Sequence, residues 1–284
     1  MRLRNLVEHA SAKFAEAGID SAQNDAELLA AHVLGLSRGQ VQSALIIDQE
    51  ISDQQAEQIT DLYGRRLKRE PLQHITGIAY FRNLELSVGR GVFIPRPETE
   101  FVAQLAIDAL RAVAIEQPVA VDLGTGSGAI ALAMATEVPN AKIFAVEKSE
   151  DAMPFTAANF AKYQDSGATL VQGDLADVFT ELNGSVAVVA SNPPYIPAAA
   201  IPRDVEVHLF DPAMALYGGQ DGLDVIRVVS KKAQELLVPG GALIIEHADS
   251  QSDEVVQLLL ADGWRQVRAH KDLTGRDRAV TALR

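Results

Sequence analysis

Residues 119–128 read Val-Ala-Val-Asp-Leu-Gly-Thr-Gly-Ser-Gly, and a helical segment is expected from about residue 128. A short apolar run that ends in closely spaced glycines and leads into a helix is typical of a nucleotide-binding α/β fold. Glycines let the backbone turn sharply and let a ligand lie against the main chain. The free N–H groups at the start of the following helix would face that ligand.

On both sides of this stretch, apolar strands alternate with helices. Strands are predicted near 119–121, 143–146, 168–172, 186–190, 242–246, 265–270 and 278–283. Helices are predicted over about 98–114, from 128, from 150, over 222–237 and over 251–261. This pattern predicts an α/β fold with a doubly wound, mainly parallel sheet. Ligands of such sheets bind beyond the carboxyl ends of the strands, beside the topological switch point.

Residues 1–72 are predicted to form a small all-helical N-terminal domain. The first helix buries one face, which carries Leu3, Leu6, Val7, Ala10 and Phe14. A second helix is expected to end at Gly35, and a third to open at the capping box that starts at Ser52. The cations Arg65, Arg66, Lys68 and Arg69 fall in the last turns of that third helix, where they suit the helix dipole.

The period of the apolar residues changes after residue 72. Leu84, Leu86 and Val88 alternate with polar residues, which predicts a β-hairpin linker over 73–92. The remaining residues, 93–284, are predicted to form the α/β domain.

Composition limits the classes of function. The 284 residues carry a formal net charge of -13, and a protein that grips nucleic-acid phosphates usually accumulates cations instead. The absence of cysteine excludes a thiolate zinc site and a cysteine nucleophile, and the six histidines form no ligand-spaced cluster, so no metal is expected. No apolar run approaches the length of a membrane span, and the first residues lack the apolar block of a signal peptide. We therefore expect no membrane association and a cytoplasmic location.

Glu147 indicates what kind of ligand the glycine loop binds. It ends the next predicted strand, 23 residues after Gly124, where a carboxylate can accept both hydroxyls of a ribose. These features predict a nucleoside-containing cofactor. They do not choose one, because Gly124, Gly126 and Ala129 also satisfy the loose fingerprint of nicotinamide enzymes.

The motif Asn192-Pro193-Pro194-Tyr195 directly follows the predicted strand at 186–190. Two successive prolines end the strand and stiffen the turn. The side-chain carbonyl of Asn192 and the backbone carbonyl of Pro193 are two acceptors that can hold a planar NH2 group, on which Tyr195 can stack. Such positioning suits a nitrogen whose lone pair is delocalised and is therefore a poor nucleophile.

Together, these motifs resemble those of class I S-adenosylmethionine methyltransferases that act on amino or amide nitrogens. The segment Phe93-Ile94-Pro95-Arg96-Pro97-Glu98-Thr99-Glu100 is similar to the signature of the release factor glutamine methyltransferases, the HemK or PrmC type. Gly218-Gly219-Gln220-Asp221-Gly222-Leu223 also matches a segment of that family. The resemblance covers nearly the whole chain and implies a seven-stranded sheet.

The resemblance also implies site residues, a cofactor and a partner. S-adenosyl-L-methionine would be the cofactor, and the residues implied to bind it are Gly124, Thr125, Gly126, Ser127, Gly128, Glu147, Asp174, Leu175 and Asn192. The residues implied to bind the substrate amide and to act in catalysis are Asn192, Pro193, Pro194 and Tyr195. The substrate would be the side-chain amide nitrogen, N5, of the glutamine in the Gly-Gly-Gln loop of class I peptide chain release factors, which act in translation termination.

The chain departs from the family pattern at two positions. Glu147 stands where many members have aspartate, which would shift the ribose slightly. Leu175 stands where some members carry an aromatic residue, which would weaken stacking on adenine. Neither departure challenges the class of reaction.

Three alternative functions share some of these features. An adenine-N6 nucleic-acid methyltransferase presents the same planar NH2 group, but it must grip phosphates around an unstacked base, and the acidic charge argues against it. A non-catalytic cofactor-binding factor would not need the Asn-Pro-Pro-Tyr turn. A nicotinamide oxidoreductase would share only the glycine loop.

The predicted cofactor can be checked by calorimetry on the purified protein. We expect S-adenosylmethionine or its demethylated product to bind, and NADH to give no comparable signal. Tight binding of NADH alone would contradict the methyltransferase interpretation.

Overall fold

The computed structural model describes residues 1–284, and these form twelve helices and nine strands apart from two short 3-10 turns. The helices are α1 Leu3–Glu16, α2 Ala22–Leu34, α3 Arg38–Ile46, α4 Asp53–Leu67, α5 Leu72–Thr76, α6 Pro97–Ala112, α7 Ala129–Glu137, α8 Met153–Lys162, α9 Val205–Phe210, α10 Ala213–Leu216, α11 Asp224–Leu236 and α12 Ser252–Ala261. The strands are β1 Ile78–Phe81, β2 Leu84–Ser87, β3 Val119–Leu123, β4 Lys142–Glu147, β5 Thr169–Gln172, β6 Val186–Ser191, β7 Leu237–Glu246, β8 Arg265–Lys271 and β9 Asp277–Leu283. None of the helices combines the length and the hydrophobicity that crossing a membrane requires.

The chain divides into two compact units. The first comprises Met1–Ile78 and Arg203–Phe210, and the second comprises Ala79–Pro202 and Asp211–Arg284. The sequence-based division at residues 72 and 92 placed the segment that contains α9 in the α/β domain. In the structure this segment belongs to the first unit. From the sequence we expect the helical domain, 1–72, to recognise the substrate, and this role stays a prediction.

The first unit is helical, and its core is built on the face of α1 that the sequence pattern predicted. Leu3, Val7, Ala10 and Phe14 are buried there, whereas Leu6 is half-buried. The capping box at Ser52 begins α4, as expected. A second capping box, formed by Ser37 and Gln40, begins the short helix α3, which the sequence analysis did not identify.

A buried cation near the end of α4 connects three parts of the first unit. The guanidinium of Arg66, with 4% of its side chain exposed, lies 2.8 Å from Asp25 of α2 and 2.7 Å from Glu206 of α9. Arg69 lies 3.2 Å from the same Glu206 carboxylate. These two cations therefore neutralise acidic side chains, in addition to the predicted interaction with the dipole of α4, and they hold α9 in the helical unit.

The second unit contains the seven-stranded sheet, whose strand order is β5-β4-β3-β6-β7-β9-β8. The pairs from β5 to β7 are parallel, and β9 pairs antiparallel with both β7 and β8. The predicted mainly parallel, doubly wound fold is confirmed. After β3 the chain adds β4 and β5 on one side and then crosses to add β6 and β7 on the other, so the topological switch point lies at the carboxyl ends of β3 and β6.

Helices pack on both faces of this sheet. Successive side chains of a strand point to opposite faces, so they belong to two different hydrophobic cores. Ala120 and Ala145 pack in the core that contains buried residues of α6 and α7. Val121 and Val146 pack in the core that contains buried residues of α11 and α12. Burial on both faces explains why these strands are continuously apolar.

The predicted hairpin consists of β1 and β2. Asn159 of α8 accepts a hydrogen bond from the amide of Ser87 at 2.6 Å and donates to the carbonyl oxygens of Ser87 and Ser127 at 3.0 and 2.9 Å. One buried side chain thus attaches the end of the hairpin to the glycine loop.

The buried ion pair predicts a difference between two neighbouring arginines. Arg66→Ala leaves the buried Asp25 carboxylate without its main cation, and removing one partner of a buried pair costs about 3–5 kcal/mol. Arg65→Ala removes the pair between Arg65, which is 43% exposed, and Glu70, and should cost about 0.2–1 kcal/mol. Urea denaturation of both variants measures the two losses. Equal loss of unfolding free energy would show that the buried pair does not stabilise the helical unit.

Candidate active site

The glycine loop is shaped by the buried carboxylate of Asp122 at the end of β3. One carboxylate oxygen accepts hydrogen bonds from the Thr125 hydroxyl at 2.6 Å and the Ala131 amide at 3.1 Å. Burial raises the pKa of Asp122 to about 7, although these hydrogen bonds oppose the rise. The amides of Gly124 and Thr125 donate to the carbonyl oxygen of Val146 on β4 at 3.1 and 2.9 Å.

The three glycines of this loop have positive φ angles but serve two purposes. A Cβ atom added to Gly124 or Gly126 would meet no atom within 4 Å. A Cβ atom on Gly128 would lie 2.8 Å from the ring of Phe160. Gly128 therefore allows close packing between the loop and α8. Gly124 and Gly126 leave open space against the main chain, which fits a ligand that lies along the loop.

Glu147 ends β4 and is buried beside the loop. Its two carboxylate oxygens accept hydrogen bonds from the Gly126 amide at 2.8 Å and from the Ser149 amide at 2.7 Å. A carboxylate has about four lone-pair directions, so two remain for the predicted ribose hydroxyls. The sequence analysis did not foresee that Glu147 also holds the glycine loop in place.

Asp174 and Leu175 follow β5, at the same edge of the sheet. The Asp174 carboxylate accepts hydrogen bonds from the Ala176 amide at 3.0 Å and from the Lys148 ammonium group at 2.9 Å. The amide, followed by Lys148, lowers the pKa of Asp174. Leu175 is half-buried and packs against the core that lies under α11 and α12. The adenine contact predicted for these two residues stays a prediction.

The Asn-Pro-Pro-Tyr motif lies directly after β6, next to the glycine loop in the sheet. The Ser191 hydroxyl donates to the carbonyl oxygen of Leu123 at 2.6 Å, which ties the end of β6 to the end of β3. The Asn192 side-chain nitrogen donates to the Thr99 hydroxyl oxygen at 3.3 Å. The structure thus brings the glycine loop, Glu147, Asp174 and Asn192 to the carboxyl ends of four adjacent strands.

The glycines of the Gly-Gly-Gln-Asp-Gly-Leu segment pack directly against the backbone of the Asn-Pro-Pro-Tyr motif. A Cβ atom on Gly218 would lie 2.5 Å from the carbonyl oxygen of Pro194, and one on Gly222 would lie 2.3 Å from that of Tyr195. No other residue type allows two chain segments to approach so closely. Gln251 adds a hydrogen bond of 2.9 Å to the carbonyl oxygen of Tyr195.

The proline-rich segment before α6 supports the site from the other side. The Arg96 guanidinium donates to the Asp211 carboxylate at 2.5 Å and lies 5.0 Å from the centre of the Phe93 ring. Pro97 takes the first position of α6, where its missing N–H costs nothing. This places Thr99 in the first turn, against Asn192.

Sequence analysis assigned no site role to Thr99 or Glu246. Glu246 ends β7 and is 2% exposed, and its carboxylate accepts a hydrogen bond of 3.4 Å from the Tyr195 hydroxyl. The sequence feature that could have indicated Glu246 is its position directly after the apolar run Leu243-Ile244-Ile245. It marks the carboxyl end of a central strand, where ligands bind in this class of fold.

Comparison with known proteins decides the family. The family model of the PrmC N-terminal domain matches residues 5–77, and that of the methyltransferase small domain matches residues 84–223. The release factor glutamine methyltransferase of Streptomyces coelicolor is 46% identical over 280 residues, which cover 97% of this chain and 96% of that protein. The chain belongs to the release factor glutamine methyltransferase family.

The chain is also similar to other proteins. The release factor glutamine methyltransferase of Mycolicibacterium smegmatis is 44% identical over 100% of this chain and 98% of its own length. A 4-amino-L-phenylalanine/4-methylamino-L-phenylalanine methyltransferase of Streptomyces pristinaespiralis is 36% identical over 99% of this chain and 95% of its own length. A methyltransferase from Pyrococcus furiosus shares the fold over 80% of this chain and 97% of its own, with a TM-score of 0.52 and 19% identity.

Two glycines with similar positive φ angles allow a test of whether the glycine loop binds the cofactor. Gly126 has φ +56° and Gly167, in the turn before β5, has φ +69°, and an added Cβ atom meets nothing at either position. Alanine at each costs about 1–2 kcal/mol in backbone strain. Only Gly126→Ala places a methyl group where we expect the ligand, so it should weaken S-adenosylmethionine binding about tenfold or more, which is about 1.4 kcal/mol or more. Calorimetry that finds the same affinity in both variants would contradict binding of the cofactor at this loop.

Proposed function

We propose that this chain transfers a methyl group from S-adenosylmethionine to the side-chain amide nitrogen, N5, of the glutamine in the Gly-Gly-Gln loop of class I peptide chain release factors. The observation that carries the proposal is the hydrogen bond from the Asn192 side-chain nitrogen to Thr99. It commits the donor end of the Asn192 amide to the protein. The acceptor end, Oδ1, is left for an N–H donor of the substrate.

The residues around the glycine loop suit the cofactor. When bound, S-adenosylmethionine supplies an electrophilic sulfonium methyl group. The open backbone at Gly124 and Gly126 would hold its methionine part, Glu147 the ribose, and Asp174 with Leu175 the adenine. These contacts fix the cofactor at the switch point, one strand away from Asn192.

The residues around Asn192 suit a planar amide. The carbonyl oxygen of Pro193 accepts no backbone hydrogen bond within the chain, so it can accept the second N–H of the substrate. Pro193 is buried and, like Pro194, has a fixed φ angle, which keeps the two acceptors rigid. The Tyr195 ring is held by its hydroxyl contact with Glu246 and can stack on the planar group. Holding both N–H groups aims the nitrogen at the methyl carbon and supplies proximity rather than a strong base.

Family membership supports the release factor as the substrate, since full-length relatives at 46% and 44% identity carry that name. The relative that acts on 4-amino-L-phenylalanine shows that a related chain can serve a free aromatic amine. Recognition of a protein substrate therefore needs its own determinant. We assign this role to the helical unit, over which the PrmC N-terminal domain model matches.

The experiment that tests the proposal is transfer of a labelled methyl group from S-adenosylmethionine. The substrates are a class I release factor, the same factor with the loop glutamine changed to alanine, 4-amino-L-phenylalanine, and DNA that contains unpaired adenine. We expect label only on the intact release factor. Equal labelling of the intact and the glutamine-to-alanine release factor would overturn the proposal. So would labelling of the amino acid or of DNA without labelling of the release factor.

Substitution of Asn192 tests its role in the transfer step. Loss of a well-placed hydrogen bond in a closed site costs about 3–4 kcal/mol, so Asn192→Ala should slow single-turnover transfer roughly a hundred- to thousandfold. Asn192→Asp keeps an acceptor oxygen and should retain partial activity, between alanine and the unsubstituted protein. Asn183→Ala, at the exposed loop before the amino end of β6, is the matched control and should leave the rate unchanged. If Asn192→Ala transfers methyl groups as fast as this control, Asn192 is a turn residue only.

A further inference from the structure

Gln251 is a buried side-chain amide beside the proposed substrate site, and the chemistry described above gives it no role. It is 7% exposed and directly precedes the first residue of α12. A side-chain amide carries two N–H donors and a carbonyl acceptor, and leaving any of them unpaired in a buried position costs free energy. The partners of Gln251 therefore show what this side chain holds together.

The amide group of Gln251 bonds to three loop segments at the carboxyl edge of the sheet. Its Nε2 atom donates to the carbonyl oxygen of Tyr195 at 2.9 Å and, more weakly, to that of Asp221 at 3.4 Å. Its Oε1 atom accepts from the amide of Ala248 at 3.1 Å. These partners belong to the Asn-Pro-Pro-Tyr turn, the Gly-Gly-Gln-Asp-Gly-Leu segment and the connection from β7 to α12. One side chain thus joins three segments.

The Asn-Pro-Pro-Tyr turn has few hydrogen bonds of its own with which to hold its position. Pro193 and Pro194 have no N–H group. No backbone–backbone hydrogen bond reaches residues 193–195, and the next residue held in this way is Ile196, which donates to Leu216 at 2.8 Å. The bond from Gln251 to the Tyr195 carbonyl oxygen therefore supplies an attachment that the backbone of the turn does not make.

A glycine makes room for this hydrogen bond. A Cβ atom on Gly222 would lie 2.6 Å from the Gln251 Nε2 atom, and it would also collide with the Tyr195 carbonyl oxygen. Gly222 has φ +80°, a conformation that glycine adopts without steric cost. The segment that contains Gly222 can therefore pack against the turn without displacing the Gln251 amide.

The donor stands on a rigid base. The backbone carbonyl oxygen of Gln251 accepts the first hydrogen bond of α12, from Val255 at 3.0 Å, and its backbone N–H donates to Ala248 at 2.9 Å. Val255 and Leu259 anchor α12 in the core, since both are fully buried. A donor supported in this way can hold a neighbouring turn in one position.

We propose that Gln251 is a positioning residue for methyl transfer, because its hydrogen bond to the Tyr195 carbonyl oxygen sets the position of the Asn-Pro-Pro-Tyr turn and of the two acceptors it carries. This inference rests on the function proposed above. Those acceptors, Asn192 Oδ1 and the Pro193 carbonyl oxygen, aim the substrate nitrogen at the methyl group. A misplacement of about 1 Å can slow such a reaction about a hundredfold. Gln251 makes no hydrogen bond to the glycine loop, so cofactor binding does not depend on it.

The test is single-turnover methyl transfer at saturating release factor and saturating S-adenosylmethionine, with cofactor affinity and melting temperature measured in parallel. Gln251→Glu keeps an acceptor oxygen for Ala248 but replaces the donor by a second oxygen, which repels the carbonyl oxygens of Tyr195 and Asp221. We expect the transfer rate to fall roughly tenfold to a hundredfold, because the turn moves. The affinity for S-adenosylmethionine should stay unchanged.

Gln234→Glu is the matched control. The side-chain amide of Gln234 on α11 also donates to a backbone carbonyl oxygen, that of Asp262 at 2.7 Å. Asp262 follows the last residue of α12, at the opposite end of that helix from Gln251. Both variants lose a hydrogen bond of the same kind, so both should lower the melting temperature. Only Gln251→Glu should slow methyl transfer.

A double-mutant cycle separates positioning from a general loss of structure. If Gln251 acts through the turn, Gln251→Glu should slow transfer less in the Asn192→Ala background than it does alone, because one acceptor is already missing. Independent effects on the rate would multiply instead.

Each outcome decides the proposal. It is overturned if Gln251→Glu transfers methyl groups as fast as Gln234→Glu, if cofactor affinity falls as far as the rate, or if the two effects in the cycle multiply. If Gln251→Glu does not fold, Gln251→Met, which is similar in size and uncharged, takes its place under the same criteria. Absence of transfer by the unsubstituted protein would instead contradict the proposed function, which distinguishes the two failures.

Discussion

The parallel pairing of β3 with both β4 and β6 is the constraint on which the site depends. It makes the carboxyl end of β3 the switch point and places the glycine loop between the acidic end of β4 and the Asn-Pro-Pro-Tyr turn. The hydrogen bond from Ser191 to Leu123 fixes the two strand ends to each other. The residues proposed to bind the cofactor and those proposed to bind the substrate amide therefore lie next to each other, as a direct methyl transfer requires.

Buried polar groups hold the loops in this arrangement. Asp122 organises the glycine loop, Glu147 binds its backbone from β4, and Asn159 attaches the hairpin to it. Each of these side chains would be costly to bury without partners, and each has hydrogen bonds that compensate. Burial nevertheless raises the pKa of both Asp122 and Glu246 to about 7. A group that is retained despite such a cost is a candidate for function rather than for stability.

The glycines show that one residue type can mark different constraints. Gly124 and Gly126 face open space and leave room for a ligand, whereas Gly128, Gly218 and Gly222 allow close packing of protein segments. All of them appear in the sequence as motif glycines. Only the atoms that surround each position separate a binding role from a packing role.

By itself, the sequence determined the class of fold and the two main motifs, because alternating apolar segments and glycine spacing are local patterns that follow strand and helix periods. It also indicated Glu147, which ends one apolar strand, and Asn192, which follows another, as candidate site residues, and their ligand contacts stay predictions. The sequence did not indicate the placement of α9 in the helical unit, which depends on ion pairs between Glu206 and arginines about 140 residues away. Nor did it indicate that Asn192 contacts Thr99 of α6, or that Tyr195 contacts Glu246 at the end of β7. The packing of α6 and the order of the strands create these contacts, and both are properties of the tertiary structure.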